Sequence, residues 1–138
     1  MSTTDISFFR FTEQAITLNN PFTLTKKFGS LAISGKNITL QQGFLYKISA
    51  CMFFKFTGWM YYGVTDTSGQ LKPTGMEDRG FSITTDSTDP FSGGDLETYI
   101  DLRELTSDLV IQIRPTTISG TITLLTHSRL TIEKMASR

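Results

Sequence analysis

The single histidine, His127, is the side chain of this 138-residue sequence best suited to act as a general base near neutral pH. A Ser–His–Asp arrangement also needs a nucleophile and an orienting carboxylate beside the histidine. Ser128 follows His127 directly, but neighbours on a strand point to opposite faces. The one cysteine, Cys51, is interpreted as a small buried apolar residue, and with His127 it supplies too few ligands for zinc. We therefore predict no catalytic residue, no metal and no cofactor.

Carboxylates form two further candidate groups, both in predicted loops. Asp86, Asp89 and Asp95 flank a Gly-rich segment, and Glu77 and Asp78 stand in the preceding loop. A calcium ion needs six to eight oxygen ligands, and this spacing is not that of an EF-hand. A glycosidase pair can be assembled from anywhere in a fold, and nothing in the spacing singles one out. The sequence favours solvated loops.

Three aromatic residues are close enough in sequence to form a binding surface. Trp59 and Tyr61 would share one face of a strand, and Tyr62 would point to the other face. One face should enter the core, while the other meets a neighbouring protein or a sugar. With Arg79 from the predicted exposed loop at 71–80, these residues are the candidate ligand contacts.

Composition limits the classes of partner. The chain has 13 Lys plus Arg and 13 Asp plus Glu, so its net charge is zero. Proteins that grip nucleic acid phosphates usually have a basic excess, so we expect no nucleic-acid partner. No apolar run is long enough to span a bilayer, and the N-terminus does not resemble a signal peptide, so we expect no membrane association.

The dominant pattern is alternation of apolar and polar residues with period two, which is typical of strands. The longest candidate strand is Phe44 to Phe56, whose even positions are all apolar and are predicted to face the core. Its odd positions should be wet at Lys47 and Lys55 and covered by a partner near Phe53. A tight turn is predicted at residues 57–58, followed by a strand over residues 59–64.

The rest of the chain continues this pattern. One helical turn is allowed between Leu102 and Asp108, and no segment shows a sustained helical period. About nine or ten short strands at this spacing predict an all-β sandwich or jelly roll. The later predicted strands are 81–85, 96–102, 109–114, 121–125 and 129–135.

Several segments resemble the complement-type and tumour-necrosis-factor-like jelly-roll family. The sequence ITLQQGFLYKIS at residues 38–49 resembles its strand–Gly–x–Tyr–strand element. Residues 99–111 resemble its next signature, with Ser107 where the family has glycine. The closing segments 121–125 and 128–134 resemble the terminal strands of bacterial and phage members.

The resemblance implies an antiparallel jelly-roll β-sandwich of about ten strands, assembled as a homotrimer. It further implies a non-enzymatic structural protein of a virus (phage) particle, of the capsid decoration or head-fibre type. Such a protein would be made in the host cytoplasm and act on the virion surface, with a capsid or other virion protein as partner. The alternative is a carbohydrate- or receptor-binding module, such as a phage tail-fibre or baseplate adhesin that recognises a cell-surface glycan.

The N-terminal segment admits two interpretations. Residues 1–14 form either a docking arm or an edge strand, ahead of a jelly-roll domain at residues 15–138. In the first interpretation, exposed phenylalanines mark an interaction site. In the second, Phe9 and Phe11 lie on the inward face of a strand, and Ile6 and Phe8 lie on the other. The candidate oligomer or docking residues are Phe8, Phe9, Phe11 and Phe53.

Overall fold

The computed structural model describes residues 5–69, 81–85, 91–93 and 95–137. None of these residues lies in a helix, which confirms the all-β prediction and replaces the helical turn predicted between Leu102 and Asp108 with an irregular connection. No helix long and apolar enough to cross a membrane occurs in the described part of the chain. The strands are β1 (Asp5–Phe11), β2 (Gln14–Ala15), β3 (Leu24–Phe28), β4 (Ala32–Ser34), β5 (Asn37–Leu40), β6 (Phe44–Cys51), β7 (Phe53–Thr65), β8 (Phe81–Thr85), β9 (Phe91–Gly93), β10 (Leu96–Asp101), β11 (Leu109–Leu124) and β12 (Arg129–Ser137).

The strands form two antiparallel sheets of a jelly-roll sandwich. Sheet A has the order β10-β6-β12-β1-β3, and sheet B has the order β4-β5-β11-β7-β8. The short strands β2 and β9 add to sheet B by pairing with β11 and β7. Each sheet therefore has an inward face in the core and an outward face on the surface.

The core fills the space between the inward faces. An aromatic cluster lies within it, in which Phe54 packs against Tyr62 with ring centroids 5.4 Å apart and Phe22 lies 5.7 Å from Tyr62. These three side chains are fully buried. Inward positions of β6 and β7 follow the predicted even numbering, and the prediction is confirmed at Tyr46, Ile48, Ala50, Met52 and Phe54.

The segment predicted as one long strand is two strands in different sheets. β6 ends at Cys51 in sheet A, and β7 begins at Phe53 in sheet B. Met52, between them, is fully buried where the chain crosses the core. The odd positions therefore lie on two opposite outward faces, with Lys47 on sheet A and Phe53 on sheet B.

β7 and β11 are longer than predicted, because the pairing of the two strands continues through a β-bulge and through a pair of glycines. The register of β11 against β7 shifts between Pro115 and Thr117, where Thr116 is the extra residue of a β-bulge. A bulge tolerates proline, which has no N–H to donate. The turn predicted at residues 57–58 is wrong, since Gly58 pairs with Gly120 inside the ribbon.

The N-terminal strand β1 is an interior strand of sheet A. It pairs with β12 on one side and β3 on the other, so β3 is the edge. Phe9 and Phe11 point into the core, whereas Ile6 is 40% exposed on the outward face. Of the two interpretations of this segment, the structure agrees with the strand that has Phe9 and Phe11 on its inward face. The strand is an interior strand of the sheet, however, and not an edge strand.

Candidate functional site

An exposed apolar patch lies on the outward face of sheet A, where β1 meets β3. The rings of Phe8 and Phe28 stack with centroids 5.5 Å apart and planes 11° from parallel. Phe28 is 57% exposed and Ile6, on the same face, is 40% exposed. The Arg10 guanidinium carbon lies 5.3 Å from the Phe8 ring centroid, within cation–π range. We call Ile6, Phe8 and Phe28 the β1–β3 patch.

The opposite edge of the same face presents Tyr99 from β10, which is 37% exposed. Charged side chains accompany Tyr99 on β10 and continue onto β6 and β12. The Lys47 ammonium lies 3.4 Å from the Glu97 carboxylate, and this hydrogen-bonded carboxylate raises the pKa of Lys47. Glu133 is the register partner of both Lys47 and Ile6, so it joins the polar centre to the β1–β3 patch. Each end of this face therefore presents an exposed aromatic side chain, and paired charges lie beside Tyr99 and toward the middle of the face.

A depression of ≈ 450 Å³ on this face contains the only cysteine of the sequence. Cys51 is half-buried there beside Asp95 and Arg129. Burial raises the pKa of the Cys51 thiol, the Asp95 carboxylate raises it further, and Arg129 opposes the rise. The thiol is therefore protonated at neutral pH and is a poor nucleophile, because the thiolate is the reactive form.

The outward face of sheet B presents Trp59 and Tyr61, which share one face of β7 as the strand alternation predicted. Their ring centroids are 5.3 Å apart, with planes inclined by 54°. Trp59 is 39% exposed and Tyr61 is 38% exposed, whereas Met60 and Tyr62 on the inward face are fully buried.

His127, the side chain considered as a general base, lies at one end of the sandwich in a turn with a backbone φ of 74°. It lines an apolar depression of ≈ 390 Å³ with Glu13, Phe53 and Leu125. The Ser128 hydroxyl is fully buried, accepts a hydrogen bond from the Phe53 N–H at 2.9 Å and donates to the Phe53 carbonyl at 3.4 Å. Ser128 therefore holds the crossing between the sheets.

The structure separates the predicted docking residues. Phe9 and Phe11 are core residues, so their assignment to a docking surface is wrong. Phe8 lies on sheet A, whereas Phe53 begins β7 in sheet B, so these two do not share a surface. Tyr62 is fully buried, and its assignment to ligand contact is also wrong.

Some predicted residues lie outside the described residues: Arg79, Glu77, Asp78, Asp86 and Asp89. Within the described ranges, no group of three or more His, Cys, Asp or Glu side chains is placed to hold a metal ion. Phe28 was not among the site residues predicted from the sequence. Its one sequence signal is a large apolar residue after the polar run Thr25 to Lys27.

No family model and no curated protein matches the sequence. Solved structures do match the fold. The structure of Eiger TNF from S. frugiperda superposes with a TM-score of 0.69 at 12% identity, covering 99% of this chain and 96% of that one. Murine APRIL at pH 8.0 gives a TM-score of 0.66 at 11% identity, covering 96% of this chain and 100% of that one. Murine APRIL at pH 5.0 gives 0.64 at 14% identity, covering 94% and 99%.

These likenesses confirm a tumour-necrosis-factor-like jelly roll. At such identities they show the fold alone, because one fold supports many functions. Neither Eiger TNF nor APRIL is a phage protein, so the phage setting stays a prediction.

Proposed function

We propose that this domain is a non-enzymatic assembly module that forms a homotrimer through the outward face of sheet A. The observation that carries the proposal is the pair of exposed apolar regions at the two ends of that face, the β1–β3 patch and Tyr99. Exposed clusters of large apolar side chains usually mark interaction sites. The net charge of zero adds no long-range repulsion between copies.

The separation of the two regions favours a ring over a two-fold dimer. In a cyclic trimer, one surface of each subunit meets a different surface of the next, and the ring closes without an unpaired surface. The β10 edge with Tyr99 can then cover the β1–β3 patch of the next subunit. Glu97 lies on the same strand as Tyr99 and is already paired with Lys47, so it would enter this contact without an unpaired charge.

The setting that we propose for this trimer is the surface of a virus particle, as a decoration or head-fibre protein. Support comes from the sequence resemblance of residues 121–125 and 128–134 to the terminal strands of bacterial and phage members of the jelly-roll family. A second candidate is an adhesin of the tail-fibre or baseplate type. The observation that favours it is Trp59 with Tyr61, which would remain accessible on sheet B when sheet A is covered.

The test is the native mass of the protein measured by size-exclusion chromatography with light scattering. Wild type should have three times the 15.4 kDa of the chain. Phe28→Ser and Tyr99→Ser should shift the mass toward one chain while leaving the circular dichroism spectrum unchanged. Phe53→Ser is the matched control, because Phe53 is similarly exposed at 39% but lies on sheet B.

Three outcomes would count against the proposal. A monomeric wild type would overturn the trimer, and a trimer that survives both substitutions would overturn its assignment to sheet A. For the particle setting, the trimer is mixed with emptied capsids and sedimented. Failure of the trimer to sediment with capsids of the virus that encodes it would refute the decoration role.

A further inference from the structure

Two aromatic rings are exposed to water on the outward face of strand β7. Trp59 and Tyr61 project from the outward face of β7, which lies between β11 and β8, with ring centroids 5.3 Å apart. More than a third of each side chain is exposed, while Phe54, Met60 and Tyr62 of the same strand are fully buried. Aromatic residues with a polar atom at one end suit surfaces that bind partly apolar, partly polar ligands.

On the β11 side, the side chains opposite these rings carry hydroxyl groups and no charge. In the register of β7 with β11, Trp59 lies opposite Ser119 and Tyr61 opposite Thr117, and both partners are exposed. The next outward pair toward the start of β7 is Thr57 with Thr121, also exposed. From residue 57 to residue 61, neither β7 nor its partner positions on β11 include Asp, Glu, Lys or Arg. The next outward positions on the two strands include Lys55 and Arg114, one at each end of this stretch.

This combination discriminates among ligand classes. A nucleobase would stack on the rings, but a nucleic acid also needs basic side chains for its phosphates. An anionic ligand would need an arginine or lysine directly beside the rings, whereas Lys55 and Arg114 lie one outward position beyond the two ends of the stretch. A protein hot spot centres on aromatics within an apolar, desolvated surround. A neutral sugar ring has an apolar C–H face for stacking and a rim of hydroxyls that exchange hydrogen bonds with Ser and Thr.

We propose that Trp59 and Tyr61, with Thr117 and Ser119, form a binding site for a neutral pyranose-containing glycan. This inference names the ligand class of the second candidate function above, the adhesin, and depends on it. A sugar ring would stack on one aromatic face, and the 54° inclination of the rings would place the second ring against its edge. Each subunit of a trimer would carry one such site, so a multivalent glycan would gain avidity from simultaneous contacts.

Trp59 is the only tryptophan, so the tryptophan fluorescence of the protein reports on this site alone. Its fluorescence is titrated with lactose, chitotriose and maltotriose, which are neutral and differ in the sugar face they expose. At least one should shift or quench the emission saturably. Tyr61→Ser should weaken that binding about tenfold. Thr117→Val should also weaken it, because valine has nearly the shape of threonine but lacks its hydroxyl. Phe53→Ser, on the same sheet but beyond this hydroxyl ladder, should bind as wild type does.

Light scattering on the same samples separates this proposal from the trimer. Loss of sugar binding with the native mass unchanged in Tyr61→Ser supports a glycan site. Absence of a fluorescence response to all three sugars at millimolar concentration would overturn the glycan site and leave the trimer standing. A fall in the native mass of Tyr61→Ser would also overturn the glycan site, because it would show that Trp59 and Tyr61 form a contact between subunits.

Discussion

Replacing Gly58 or Gly120 with alanine should destabilise the domain strongly, because two backbones meet where these glycines pair. The backbone φ of Gly58 is +125°, and an added Cβ would lie 2.0 Å from the Ser119 carbonyl oxygen. At Gly120 φ is +87°, and the Cβ would lie 1.8 Å from the Thr57 carbonyl oxygen. Residues held in such a conformation cost about 1–3 kcal/mol. Forcing an atom into a filled space costs about 1–3 kcal/mol more.

We therefore expect each substitution to lower the free energy of unfolding by about 2–6 kcal/mol. Gly35→Ala is the matched control. Its φ of +61° is also positive, but an added Cβ there meets no atom within 4 Å. It should cost only the backbone term, about 1–2 kcal/mol.

The assay is urea unfolding followed by far-ultraviolet circular dichroism. The double variant at positions 58 and 120 should cost less than the sum of the single variants, because one displaced backbone relieves the other contact. If Gly58→Ala proved no worse than Gly35→Ala, the close approach of β7 and β11 would be refuted. Strictly additive costs would show that the two positions do not share a contact.

Three further predictions address the register, the N-terminal strand and pH. Ile48→Ala should cost about 2–5 kcal/mol by opening a core cavity. Lys47→Ala removes only a surface ion pair, so it should leave the urea midpoint nearly unchanged. Equal shifts of the midpoint would contradict the inward register of β6. Deleting residues 1–11 removes an interior strand of sheet A, so the product should show no cooperative thermal transition, and a folded product would refute the place given to β1. Burial raises the pKa of Tyr46 from 10.0 to about 12, so its stabilising contribution is full below pH 10 and is lost as the pH rises toward 12. The urea midpoint of wild type should fall more between pH 10 and 12 than that of Tyr46→Phe, and parallel declines would count against the shift.

Strand faces could be predicted from the sequence, because side-chain direction alternates whatever the partner strand is. The change of sheet at Met52 could not be predicted, since even positions face the core both before and after the crossing. The continuity of β11 was hidden for a different reason. The bulge at Thr116 moves the inward positions from odd numbers, as at Ile113, to even numbers, as at Ile122, so one strand has the pattern of two.

For the candidate sites too, the face of a residue could be predicted from the sequence, but its neighbours on other strands could not. Trp59 and Tyr61 were predicted to share a face because both lie on one strand, and alternation alone decides that. Phe8 was predicted as a docking residue, but its neighbour Phe28 was missed because the two rings meet only through the pairing of two strands. Pairing of that kind depends on the tertiary fold, and an isolated run of residues does not reveal it.

The order of strands in sheet A has a consequence for how the protein is made. β12 lies between β6 and β1, yet a ribosome synthesises it after both. Until residues 129–137 emerge, β1 and β6 each have an edge that lacks its final partner, and unpaired edges invite association with other chains. The nascent polypeptide should therefore depend on chaperones, and pairing between such distant segments should make folding slow. A premature stop before Arg129 would remove the centre of the sheet and leave two strands without the neighbour that joins them.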